Sequence, residues 1–234
     1  MADWPGAERR DPPRSSPTWV VRHALAQWLR AQAAELAGGP PARILDVGCG
    51  VKPYYPFFAE AAEYVGVDVK ENRNADLIGA VESLPVEDGS FDIVLCTQVL
   101  EHVDDPAKAI AELHRVTAPG GRVLASTHGV MLYHPNPNDL WRWTHTGLER
   151  IFAVHPWATL EVRGGAGSAE AVGLLVGNYL HLLAKRVGLA VLARPFVTLV
   201  NIAAHALDYR VAMLREPVPG VLYANLHVTA VKAP

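Results

Sequence analysis

The chain has 234 residues, half of them apolar and 19% charged, which is enough to bury one core and excludes a globally disordered polymer. Twenty-one Lys and Arg against 24 Asp and Glu leave a net charge of −3, which argues against a general nucleic-acid binder. Two cysteines, Cys49 and Cys96, exclude a disulfide scaffold and a cysteine-only zinc site, and the proline-rich N-terminus carries no apolar leader, so a reduced, cytoplasmic, single-domain protein is expected.

Residues 1–17 are proline-rich with mixed charge and read as a mobile tail before a domain over 18–234. From Thr18 to Leu36 the pattern turns helical, with Val21, Leu25, Trp28, Leu29 and Leu36 on one stripe and Gly38-Gly39 as the stop. That helix is expected to cover the domain edge or the mouth of a site. Strands and helices then alternate. Ala42–Val47, Tyr64–Val69, Phe91–Cys96 and Arg122–Ser126 read as buried strands, Phe57–Ala62 and Pro106–Val116 as helical, and Pro119-Gly120-Gly121 as a break. This alternation predicts right-handed crossovers and an α/β fold, a mostly parallel sheet with helices on both faces. Leu160–Arg163 reads as a further strand, Ser168–Arg186 and Leu189–Leu214 as long helices interrupted by Gly188 and Pro195, and Leu222–Val231 as the final strand.

The sharpest motif is Ile44-Leu45-Asp46-Val47-Gly48-Cys49-Gly50, a strand ending in Gly-x-Gly where the backbone turns tightly and a ligand reaches the main chain. Three positions after Gly50, where a dinucleotide-binding loop wants a third glycine, stands Pro53, so a pyrophosphate cradle is disfavoured. Twenty residues beyond Gly48, Asp68 ends the second strand, and a carboxylate there accepts both hydroxyls of an adenosine ribose.

With these blocks, and with Glu82-Ser83-Leu84-Pro85, Asp88-Gly89-Ser90-Phe91-Asp92, Leu100-Glu101-His102-Val103 and Arg115–Gly121 in order after them, residues 42–127 resemble a class I S-adenosylmethionine-dependent methyltransferase of the type-11 branch. The resemblance implies a Rossmann-like seven-stranded sheet with a reversed last strand and S-adenosyl-L-methionine as cofactor. It implies that Asp46 and the Gly48, Cys49 and Gly50 backbone meet the methionine end, Asp68 the ribose and Val69 the adenine face. Glu82 would line the adenine edge, Thr97 and Gln98 would sit beside the methionine portion, and His102 would approach the substrate or brace the loop. Two departures stand out: Lys52 replaces a glycine common in the family, and Ala80 replaces the acid that meets the adenine amino group.

Methyl transfer from a sulfonium is an in-line displacement in which alignment supplies much of the rate, and a base is needed only for an acceptor protonated at neutral pH. Groups after the fourth and fifth strands are therefore the catalytic candidates. They are Glu101-His102 after the fourth strand, His128 after the fifth, and His134, Asp139 and Arg142 in the loop His134-Pro135-Asn136-Pro137-Asn138-Asp139-Leu140-Trp141-Arg142-Trp143-Thr144, which combines an aromatic wall with a base and an anion clamp. His128, His134 and Asp139 offer a two-histidine, one-carboxylate set without a firm metal-binding spacing, so no metal is expected.

The segment 168–215 is an apolar helical insertion before the last strand. Lys185-Arg186, Arg194 and Pro195 interrupt any clean apolar span, so the expectation is no transmembrane helix but a homodimer interface, a lid over a greasy acceptor or a membrane-surface contact. The leading reading is methyl transfer to an oxygen or nitrogen of a small, hydrophobic or glycan-like metabolite. The alternative is a protein of the same fold that binds the cofactor without transferring the methyl group.

Overall fold

Arg43–Val47 (β1) is apolar on both faces because it runs through the middle of the sheet. Ile44 faces Leu25 and Leu29 of the helix Trp19–Leu36 (α2), and Leu45 and Val47 face the opposite layer. The computed structural model describes residues 4–211 and 216–234. Around β1 lie Glu63–Asp68 (β2), Leu77–Ile78 (β3), Phe91–Thr97 (β4), Thr117–His128 (β5), Trp157–Gly164 (β6) and Asn225–Lys232 (β7), in the order β3-β2-β1-β4-β5-β7-β6. The first five strands are parallel, and β7 runs antiparallel to both β5 and β6. The expected seven-stranded sheet with a reversed last strand is therefore present.

The same alternation along β4 splits Ile93 and Leu95 toward α2 from Val94 and Cys96 toward Pro106–Val116 (α3) and His145–Phe152 (α4). α3 forms where the sequence places it. Asp105 accepts the Lys108 N–H at its start, Pro106 occupies the first turn, and Ala109, Ile110, Leu113 and Val116 make the buried stripe. α4 begins at the same kind of cap, with Thr144 Oγ1 accepting from Gly147 N.

Several elements differ from the sequence reading. Residues 4–17, expected as part of a mobile tail, are docked: Ala7–Arg10 form a helical turn (α1), and the buried Arg10 donates to the carbonyls of Trp4, Pro5 and Pro53. The expected short helix at 57–62 is a 3-10 turn over Tyr55–Phe58. The break at Pro119-Gly120-Gly121 is a bulge inside one long β5, since Phe91 pairs with Thr117 and Ile93 with Arg122.

Ser168–Arg186 (α5) and Ala190–Arg210 (α6) pack on each other, with α2 beneath. Gly188, at φ +74°, ends the first, but Pro195 does not interrupt the second. Asp208 of α6 caps α5 by accepting from Ala169 N and Glu170 N. The expected end of this helix at Leu214 lies outside the described residues. The reasoning against a membrane-length span is corrected on one point: α6 is 21 residues long with a mean hydropathy of 1.5, long and apolar enough to cross a membrane by length and composition.

Candidate active site

The C-terminal ends of β1, β2, β4 and β5 open into one cleft of about 620 Å³, at the point where the strand order reverses. Thr18, Val21, Arg22 and Leu25 line its rim, so α2 borders the mouth as well as the core.

The half beside β1 and β2 is built by the glycine turn. Gly48 adopts φ +66°, and a Cβ there would stand 2.4 Å from Val99 Cγ2, so the turn admits only glycine. Gly50 N donates to Asp68 Oδ2 at 2.9 Å, which ties the turn to the end of β2, while the space a Cβ of Gly50 would enter is open. Gly48, Gly50, Asp68, Val69, Glu82, Thr97, Gln98 and His102 all line the cleft. Val69 is 56% exposed there, an apolar side chain left in solvent at a cleft wall. Asp46 and Cys49 stand behind the loop. The Tyr64 hydroxyl donates to Asp46 Oδ2 at 2.8 Å, and burial pushes that carboxyl up to about 7. Burial pushes the Cys49 thiol up to about 12 and raises Cys96 as well, so neither is a nucleophile.

Lys52 resolves the missing glycine. Its backbone keeps the left-handed conformation, φ +49°, that a glycine would hold at that place. The side chain turns inward to meet Asp76 Oδ2 at 2.5 Å, in space left free because Gly66 has no Cβ. Asp76 Oδ2 also accepts from Gly66 N, so Lys52 braces the turn from below.

The other half holds the histidines. His128, at the end of β5, and His134, in the loop that follows, line the cleft with their rings perpendicular and 5.0 Å apart; His102 lies 5.3 Å from His134. Asp139 and Arg142 are corrected: neither lines the cleft. Arg142 clamps both oxygens of Asp139 and donates to the carbonyls of Met131, Leu132 and Trp141, while Asp139 also accepts from His134 N. The guanidinium holds the Asp139 carboxyl down to about 2, so the pair fixes the loop and supplies neither a base nor a free anion clamp. Trp141 packs in the same way, donating its indole N–H to Val103 O.

Glu101, which the sequence offers together with His102 after the fourth strand, and Asn225, which it does not single out, complete this half. Glu101, fully buried, lines the cleft; its Oε2 accepts from Thr127, and its Oε1 lies 3.3 Å from His128 Nε2 without a hydrogen-bond partner. Burial pushes Glu101 up to about 7 and His128 down to about 3. Asn225, on β7, donates to Gln98 Oε1 at 3.0 Å and approaches His128 Nδ1 at 3.4 Å. The signal for Glu101 was its place at the end of β4 beside His102. Asn225 had none, because its partners come from strands β4 and β5, far back in the chain.

An open sheet with a reversed last strand and a glycine turn beside a strand-end acid defines a Rossmann-like nucleoside-binding fold. The family described as a methyltransferase domain matches residues 45–125. A ubiquinone biosynthesis O-methyltransferase of Pseudomonas aeruginosa is 31% identical over 63% of this chain and 71% of its own length. An uncharacterized methyltransferase of Schizosaccharomyces pombe is 35% identical over 56% of each chain, so this chain spans little more than half of that relative. Among solved structures, a putative sarcosine dimethylglycine methyltransferase from Galdieria sulphuraria superposes with a TM-score of 0.57 at 15% identity, over 91% of this chain and 86% of that one. The chain belongs to the class I S-adenosylmethionine-dependent methyltransferases, in the type-11 branch. The cleft fits that cofactor in its chemistry: a strand-end carboxylate, Asp68, an exposed apolar side chain, Val69, and the open side of Gly50 all line it.

Proposed function

We propose that the protein transfers the methyl group of S-adenosylmethionine to a hydroxyl oxygen of a small, largely apolar metabolite. The observation that carries this reading is that one cleft joins the Gly48–Asp68 cofactor half to a wall of Glu101, His102, His128 and His134. An acceptor that is protonated at neutral pH, as a hydroxyl is, must lose its proton as the new bond forms. A cluster of imidazoles and a carboxylate at the acceptor end answers that need. The name of the pseudomonad relative, an O-methyltransferase, supports the same reading.

When bound, the cofactor supplies an electrophilic methyl carbon whose bond to sulfur breaks as the bond to oxygen forms. The protein's own residues align and exclude. Asp68 would hold the ribose, while the Gly48–Gly50 backbone would meet the methionine end, with Thr97 and Gln98 flanking it. Gln98 is held rigidly there, since its N–H donates to Ser126 O, its Nε2 to Ser126 Oγ, and its Oε1 accepts from Asn225. The acceptor's proton leaves toward the histidine wall. None of the described residues of α5 or α6 lines the cleft, so a second copy of the chain is the proposed cover for their apolar outer face, ahead of a lid or a membrane-surface contact.

Calorimetric titration with S-adenosylhomocysteine tests the cofactor half. Micromolar binding that Asp68→Ala weakens at least tenfold, about 1.4 kcal/mol, is expected, and no binding to the intact protein would overturn the reading. Formation of S-adenosylhomocysteine in step with a methylated hydroxyl compound tests the reaction. Cofactor binding without any such product across phenols, alcohols and amines would favour a non-methylating member of the fold.

A further inference from the structure

The acceptor end of the cleft carries an arrangement that proton transfer alone does not explain. One carboxylate oxygen of Glu101 and one nitrogen each of His102 and His134 lie within 4.8 Å of one another. Each of the two imidazoles is already held by its Nδ1, His102 on Asn138 O and His134 on Leu132 O at 3.0 Å. A ring that donates its Nδ1 proton to a carbonyl keeps the lone pair on Nε2, and this is how proteins orient histidines that ligate metals. Glu101 Oε1 is buried and has no hydrogen-bond partner, although a buried carboxylate oxygen left unpaired is costly.

We propose that Glu101, His102 and His134 form a binding site for a divalent transition-metal cation. Two imidazoles and a carboxylate, with the remaining positions open to the cleft, suit zinc, manganese, cobalt or ferrous iron better than magnesium or calcium, which prefer oxygen ligands. At metal–ligand distances of about 2.0–2.2 Å the ligand atoms stand roughly 3–3.5 Å apart. Binding therefore draws the three atoms together, His134 from the loop that follows β5. The Asp139–Arg142 pair holds that loop in place, since Asp139 Oδ2 accepts the backbone N–H of His134. This set shares only His134 with the His128, His134 and Asp139 group of the sequence, from which no metal is expected: Asp139 is consumed by Arg142, and Glu101 and His102 complete the set instead. His128 stands behind, with Nε2 3.3 Å from Glu101 Oε1.

The site deepens the oxygen-acceptor reading. A cation with open positions beside the cleft would ligate a hydroxyl oxygen and favour its deprotonated form. Its existence, however, is tested by binding and not by turnover.

Untagged protein, stripped with a chelator, is titrated with Co²⁺ and followed by visible absorption, and with Mn²⁺ and Zn²⁺ by calorimetry. One equivalent per chain is expected, with weak d–d bands for Co²⁺. His134→Ala, a loop substitution outside the core, is expected to weaken binding at least thirtyfold while the thermal midpoint of the metal-free protein holds. Glu101→Gln is expected to weaken binding to a similar degree. Absence of saturable binding, or binding that His134→Ala leaves unchanged, overturns the site. S-adenosylhomocysteine titrated in the same samples separates the two readings, because Asp68 and the Gly48–Gly50 turn contribute none of the three metal ligands. Retained cofactor binding with no metal binding removes this inference alone.

Discussion

His227 is one of several buried groups that make the stability of the chain depend on pH. It sits on β7, stacked on Trp28 at 4.6 Å, with Nε2 lacking a hydrogen-bond partner. Burial holds its imidazole down to about 3, against an ordinary 6.5. Between those values the unfolded chain carries the extra proton. The residue's contribution to stability is therefore complete above pH 6.5 and is lost as the pH falls toward 3, by up to about 1.4 kcal/mol per pH unit. Asp46 and Glu101, pushed up to about 7, act with the opposite sign, because between their ordinary values and 7 the folded state holds the extra proton. The clean observable is thus a difference. The stability of His227→Phe relative to the parent, measured by urea unfolding, is expected to rise steadily from pH 6.5 to pH 4; parallel pH profiles would contradict it. At this scale the sequence was legible where one residue type answers a local demand. Gly48 and Asp68 were readable from spacing because the turn and the ribose acceptor lie within one strand–turn–strand unit. Lys52 looked like a loss of function and is instead a substitute that keeps the backbone of the glycine it replaces. Glu101 was legible from its place after β4, but the N–H groups of Leu140 and Trp141 that bond its carbonyl come from about 40 positions further on.

Elements that are regular and central were legible, and those defined by contact were not. α3 and α5 carry caps or periodic stripes and run over the expected residues, and β1, β2 and β4 follow from apolar runs that only a covered parallel strand tolerates. β3 is two residues long and exists only by pairing with β2. α4 is one short amphipathic stretch whose cap, Thr144, was absorbed into the aromatic loop in the sequence reading. That loop is the element on which function hinges most directly. Its two ends are tied by Asp139, Arg142 and the Trp143 N–H on His128 O, so removing the carboxylate frees the guanidinium and the backbone N–H of His134 together. Asp139→Ala is expected to raise the acceptor KM several-fold and to lower stability by about 1–3 kcal/mol, with S-adenosylhomocysteine affinity within twofold of the parent. A loss confined to cofactor affinity would place the loop elsewhere in the reaction.

At the scale of the molecule, the conspicuous surface is the outer face of α5 and α6, where Leu182, Leu183, Leu192, Phe196 and Leu199 stand exposed. Monomeric soluble proteins rarely leave such a contiguous apolar patch uncovered. Light scattering on the purified chain is expected to give twice the chain mass, and Phe196→Glu, at a residue 64% exposed, to give a folded monomer. A monomeric parent that sediments with lipid vesicles would assign the face to a membrane instead. The N-terminal segment connects this face to the cofactor turn. Asn178 of α5 donates to Pro17 O, and Asn201 of α6 donates to the carbonyls of Arg14 and Ser16. At its other end Trp4 Nε1 donates to Lys52 O and Arg10 to Pro53 O, while Gly6 lies so close to Pro53 that a Cβ would stand 2.6 Å from it. This strap ties the glycine turn to the two helices that carry the apolar face. By linkage, whatever factor cofactor occupancy imposes on association at α5 and α6, association imposes on cofactor affinity in return.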